Sequence, residues 1–203
     1  MTDKNNLELW DKVEKTDTDY VKKVSIGKRA YSAIDPMYQL KNATAQFGRY
    51  GATWGLKNLE WDSITIGDTI LATLSGVFFT PEGEVDTANS IKMSYKTNSG
   101  YITVDEDYRK KLMTNTLSKE LSRLGFNADV FLGKFDDERY VQSLKDEKEQ
   151  TTKEAAVKRV SEEVGKITDV LALRDYYNEN KHLGQEVTEL ITKRSEELKP
   201  QDD

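Results

Sequence analysis

Residues 105–126 read DEDYRKKLMTNTLSKELSRLGF, and their spacing constrains how the rest of the chain can fold. At about 100° per residue, Met113, Leu117, Leu121 and Leu124 share one side, an apolar stripe wide enough to dock a helix on a sheet. Tyr108, Leu112, Asn115, Lys119 and Arg123 line the opposite side at steps of three and four, and the last three form a polar, basic stripe. The expectation is a helix that buries its leucines and presents Asn115, Lys119 and Arg123, either to a ligand or to plain solvent, where most such stripes lie.

A docked helix needs a sheet, and the preceding sequence supplies one. Residues 53–62 (TWGLKNLEWD), 68–80 (DTILATLSGVFFT) and 85–96 (VDTANSIKMSYK) read as three strands, with PEG at 81–83 as a turn and Asn98, Ser99 and Gly100 as a loop. An antiparallel meander is the simplest connection. Ahead of it, DPMYQLKNATAQFG at 35–48 is a punctuated helix: Asp35 as N-cap, Pro36 at the first helical position, Gly48 past the end. Met37, Leu40, Thr44 and Phe47 are expected inside, with Tyr38, Lys41 and Asn42 to another side. The glycines of GRYGATWG, residues 48–55, imply a tight turn into the first strand. The fold class is therefore α+β, a β-β-β-α core behind a capped helix.

Two flanking stretches complete that core. Leu7, Leu9, Trp10 and Val13 suggest a short amphipathic helix, and YVKKVSIGKRAY at 20–31 is the most basic run of the chain. Its Lys22, Lys23, Lys28 and Arg29, interleaved with Tyr20 and Tyr31, suit phosphate contacts and base stacking, or equally an edge strand guarded by lysines. After Gly125, a short strand or turn and then a helix from about Asp136 are expected.

The texture changes beyond residue 145. Residues 146–203 carry 10 Lys or Arg against 15 Asp or Glu, so most of the chain's net charge of −6 sits there. Val157, Val160, Val164, Ile167 and Leu171 fit a helical hairpin or short coiled-coil seam, although Gly165 weakens a continuous helix. Alternatively Thr168 caps a new helix ending near Gly184, with another over 185–199. Residues 1–145 are expected as the core and 146–203 as an acidic helical appendage.

Composition narrows the chemistry. No cysteine is present, which excludes disulfides and thiolate zinc sites, and the single histidine, His182, leaves no histidine cluster for a zinc enzyme. Charged residues are 33% of the chain, no apolar run approaches bilayer length, and MTDKNNLELW has no signal-peptide core. A cytoplasmic protein with no membrane partner is expected. The acidic pI of about 5.1 disfavours indiscriminate nucleic-acid binding but not a local basic groove. Asp105, Glu106 and Asp107, or Asp136, Asp137 and Glu138, are conceivable Mg²⁺ ligands of a nuclease, but acids at helix N-termini account for them more simply. The run from Gly125 to Lys134 lacks a P-loop: Ala128 and Phe135 stand where glycine and Ser or Thr belong.

In that order of elements, YQLKNATAQFGRYGATW at 38–54 and LMTNTLSKELSRLGFNADVFLGKFDDERYVQSL at 112–144 resemble the single-strand annealing superfamily, which includes phage recombination proteins of the Sak and Erf type and the eukaryotic Rad-fifty-two. The likeness spans roughly residues 20–145. It implies a non-enzymatic protein, without cofactor or metal, that binds single-stranded DNA and anneals complementary strands in recombination and repair. It also implies a homo-oligomer, ring or helical arc, in the host cytoplasm if phage-encoded. Lys119 and Arg123 match the basic positions of the family's long helix, with Lys28 and Arg29 near the groove-lining strand. Glu120 departs from relatives with a second basic residue there, and Tyr38 replaces a basic residue for which Lys41 one turn later substitutes. Lys22, Lys23 and Asn115 would extend the track, and Tyr31 or Tyr38 would stack on bases. The competing expectation is a protein-interaction module that recruits a single-strand-binding protein or an exonuclease through residues 146–203.

Overall fold

A computed structural model describes residues 5–27 and 29–198, and it divides into two compact units, Met1–Glu138 and Arg139–Asp203. The first unit is α+β. Helix α1 (Glu8–Val13) leads through a 3₁₀ turn to strands β1 (Val21–Ile26) and β2 (Arg29–Ile34), then to α2 (Pro36–Phe47). Strands β3 (Gly55–Ile66), β4 (Thr69–Thr80), β5 (Gly83–Lys96) and β6 (Ile102–Val104) follow, and then α3 (Tyr108–Arg123) and α4 (Ala128–Phe131).

The meander is antiparallel in the order β3-β4-β5-β6, while β1 and β2 form a separate two-stranded hairpin. Strand β6, which follows the expected loop at Asn98, Ser99 and Gly100, pairs Val104 with Ser94 and Ile102 with Lys96. Strand β3 carries a one-residue bulge between Lys57 and Glu60, with Asn58 at positive φ. The extra residue reverses the alternation, so Leu56 and Trp61 both share the face of Phe78 and Leu74, their partners on β4. Gly76 makes room for it, since a Cβ there would lie 2.8 Å from Leu59 Cδ2 and 2.9 Å from the Lys57 carbonyl.

Helix α3 packs on this inner face over β4 and β5, but with a rotation that the leucine spacing does not predict. Leu112, assigned above to the outer side, is fully buried with Ala72 and Leu74, while Met113 and Leu117 are only half-buried. Thr116 and Glu120 continue the buried line from Leu112 at steps of four. Both are polar yet satisfied: Thr116 Oγ1 donates to the Leu112 carbonyl, and Glu120 accepts from Thr87 Oγ1 of β5 at 2.7 Å. Once a polar side chain has an internal partner its burial costs little, and apolar spacing no longer marks the inner face.

Helix α2 departs in the same way. Asp35 caps it by accepting from the Met37 N–H at 2.8 Å, but Met37 is 68% exposed and Thr44 is exposed, whereas Gln39 and Ala43 are buried with Phe47. Ala43 is small enough for close approach, and Gln39 Oε1 accepts from Ser118 on α3. Phe47, Trp54, Phe78, Leu121 and Phe126 complete a core with Val13 of α1. The Leu-Gly-Phe close of α3 is a Schellman turn, with Gly125 N–H bonded to the Ser122 carbonyl and Phe126 N–H to that of Leu121. Gly125 is at φ +96° beneath Trp10, and a Cβ on it would lie 2.7 Å from the indole ring, so no other residue fits. Beyond it, the expected strand or turn is the short helix α4, anchored by the buried Thr16, whose hydroxyl accepts from the Asn127 amide and donates to Asp129, both also buried.

The second unit is helical: α5 (Glu138–Val164), α6 (Val170–Asn180) and α7 (Gln185–Glu197). Val160, Val164, Leu173, Val187 and Ile191 form its core. The seam does not continue through Leu171, which is 69% exposed: α5 stops before Gly165, and α6 starts afresh with Asp169, rather than Thr168, as its cap. Asp169 accepts from the Leu171 and Ala172 N–H groups, a carboxylate being the stronger acceptor at a helix N-terminus. Among the described residues no helix is long and apolar enough to cross a membrane.

Candidate nucleic-acid interface

Rotation of α3 leaves Lys111, Asn115, Lys119 and Arg123 exposed, each four residues from the next. Four residues advance about 400°, so the line drifts by about 40° per step and turns away from Ser118, the residue that meets α2. The sequence singled out the last three of these residues, and the structure does bring them to one exposed face.

Their electrostatic states differ. Arg123 Nη1 donates to both carboxylate oxygens of Glu120, at 2.8 and 3.0 Å, so its charge is compensated by an acid that the sheet holds in place. Glu120 therefore does more than interrupt a basic stripe, since it also neutralises the cation one turn on. Lys111 Nζ bonds both oxygens of Asp105 at 2.8 Å, and this bond raises the ammonium above the ordinary lysine pKa. Lys119 has no carboxylate partner among the described residues. It is the stripe's available charge.

The other expected contacts are dispersed. Lys41 is exposed on α2. Lys22 and Lys23 are exposed on β1 but cannot form one track, because Lys22 shares a ribbon face with Ala33 and Lys23 shares the other with Ser32. Tyr31, 46% exposed, pairs with Val24 on the Lys22 face. Arg29 opens β2 opposite Ile26, and Lys28 lies outside the described residues. Tyr38 is not a free stacking platform: its ring is stacked on Tyr20 at 4.3 Å, and its hydroxyl accepts from the Asp17 N–H at 3.2 Å. Two aromatic rings this close satisfy each other before any base arrives.

Residues that sequence reading passed over stand at the start of α3. Arg109 places its guanidinium 5.3 Å from the Trp61 ring centroid and 5.8 Å from that of Tyr108. The available signal was the run Arg109, Lys110, Lys111, three cations in succession at a helix start, but the bulge that brings Trp61 to the same face is a property of strand pairing.

Concave surface elsewhere on this unit carries paired charges. Two adjoining cavities of about 270 and 260 Å³ are lined by Leu9, Phe47 and Glu82; Lys12 binds Glu8 at one, and Glu84 at the other accepts from Lys57. Among the described residues, no group of three or more His, Asp or Glu side chains has metal-holding geometry. No protein-family model matches the chain, and no curated protein is similar to it.

Proposed function

We propose that the chain binds single-stranded DNA through the exposed face of α3 and anneals complementary strands without ATP, acting as a homo-oligomer in recombination. One observation carries the reading: an exposed polar line from Lys111 to Arg123, with Lys119 as its uncompensated cation, on a helix docked over an antiparallel meander behind a capped helix, in the element order of the annealing superfamily. Such a surface grips phosphates and leaves bases free to pair; no bond is made or broken, and base pairing supplies the driving force. No nucleotide, metal or catalytic residue is required.

Annealing of two complementary labelled oligonucleotides, followed across a salt series without ATP, tests this reading. Binding is expected to weaken steeply with salt. Lys119→Ala is expected to cost more affinity than Arg123→Ala, since Arg123 already has a carboxylate partner. Absence of strand binding at low salt overturns the proposal.

A second reading concerns Arg139–Asp203, whose helices have a core of their own. A self-contained helical unit suits recruitment of a single-strand-binding protein or an exonuclease. A chain ended after Glu138 that still anneals would assign the helices to partners.

A further inference from the structure

Arg109 differs from the other cations of α3 in how it is held. The bulge in β3 turns Trp61 onto the meander's inner face, beside the first turn of α3. The Arg109 guanidinium lies over that ring, and its Nε donates to the Tyr108 hydroxyl at 3.1 Å. The residue is exposed, and no carboxylate among the described residues pairs with it. Lys111 and Arg123 on the same helix are tied to Asp105 and Glu120.

A guanidinium usually loses rotamer entropy when it grips an anion. Here two rings and one hydrogen bond from Nε already restrict the guanidinium, and its two terminal nitrogens remain to donate, a fork that matches two oxygens of a phosphodiester. Lys119 lies ten residues further along, about 15 Å at helical rise. A phosphate chain, not a compact anion, spans such a distance.

We propose that Arg109, seated on Trp61 and Tyr108, forms a phosphate subsite for single strands, with a backbone phosphate held on the guanidinium. The subsite rests on the strand-binding reading above and gives that surface a second point of grip. Arg109 positions the strand, and no chemistry is assigned to it.

The test uses the full chain and a labelled oligothymidylate at low salt. Arg109→Lys keeps the charge but loses the planar fork, and is expected to weaken binding about tenfold. Lys110→Ala, which removes an adjacent exposed cation without such a seat, is expected to weaken it less. Tryptophan emission of the wild-type chain is expected to be quenched on binding, and the quench to vanish in Trp61→Phe. If wild type binds, Arg109→Lys binds equally well and emission does not change, the subsite is refuted while strand binding stands. If wild type does not bind, the strand-binding reading falls and the subsite with it. The emission change needs no Arg109 variant to fold, so it decides the matter alone if Arg109→Lys is unstable.

Discussion

Helix α3 buries Leu112, Thr116, Glu120 and Leu121 against its surroundings, whereas residues 145–155 of α5 are exposed around the whole circumference. Both stretches are densely charged. In α5 the polar side chains meet one another along the helix, as in the ion pair of Lys153 with Glu149 and the hydrogen bond of Gln150 to Glu154, contacts worth a few tenths of a kcal/mol that leave no side distinguished. In α3 the packed face fixes the azimuth of every other residue, so Lys119 and Arg109 point in set directions. A cation becomes part of a site when something behind it is buried, and local charge density alone does not supply that.

The largest test of this contrast removes the anchor. Leu112→Ala is expected to destabilise the first unit by roughly 2–5 kcal/mol, the range for deleting a fully buried leucine. Glu149→Ala on α5 is expected to change stability by no more than about 0.5 kcal/mol. All three tryptophans lie in the first unit, so denaturant unfolding followed by tryptophan emission isolates the Leu112 effect. A Leu112→Ala chain as stable as wild type would mean that α3 is no better anchored than α5.

The same contrast explains what could be read from the sequence. The capped ends of α2 and the meander were legible because Asp35, Pro36, Gly48 and the alternating strand residues act locally. The faces of α2 and α3 were misjudged where Gln39, Thr116 and Glu120 are buried through partners on other elements or within the helix backbone, information that helical spacing does not contain. For the candidate site, exposure of Asn115, Lys119 and Arg123 was legible from their shared face. Compensation of Arg123 depends on Thr87 of β5 helping to hold Glu120 inward, and the Arg109 seat depends on a bulge, so neither could be read from α3 alone.

A smaller effect, with two signs, sharpens the contrast within α3. In Glu120→Gln the side-chain oxygen can still accept from Thr87, but the amide no longer neutralises Arg123. Stability is expected to fall by roughly 1–3 kcal/mol, the scale for losing charge-assisted hydrogen bonds to a buried group. Single-strand affinity is expected to rise, with a steeper salt dependence by about one released counterion, because the exposed face gains a free cation. Loss of affinity in step with stability would show that Arg123 works only while clamped by Glu120.

The last turns of α5 provide the smallest effect and the counter-example within one helix. Here Val160 and Val164 are buried, and Glu163 accepts from the Tyr176 hydroxyl of α6, so α5 gains a distinguished face where α6 and α7 cover it. Burial, then the hydrogen bond to Glu163, pushes the Tyr176 phenol up to about 12. The unfolded chain releases that proton near pH 10. Between about pH 10 and 12 the folded unit therefore holds a proton that the unfolded chain has lost, and its stability declines as pH rises across that window. Below about pH 10 the contribution is complete. Tyrosinate absorbance in an alkaline titration should show one phenol titrating late in wild type and absent in Tyr176→Phe, whose stability should lose this pH dependence. If Tyr176 titrates with the ordinary tyrosines, the end of α5 is as solvated as its middle, and the anchoring attributed to α6 is wrong.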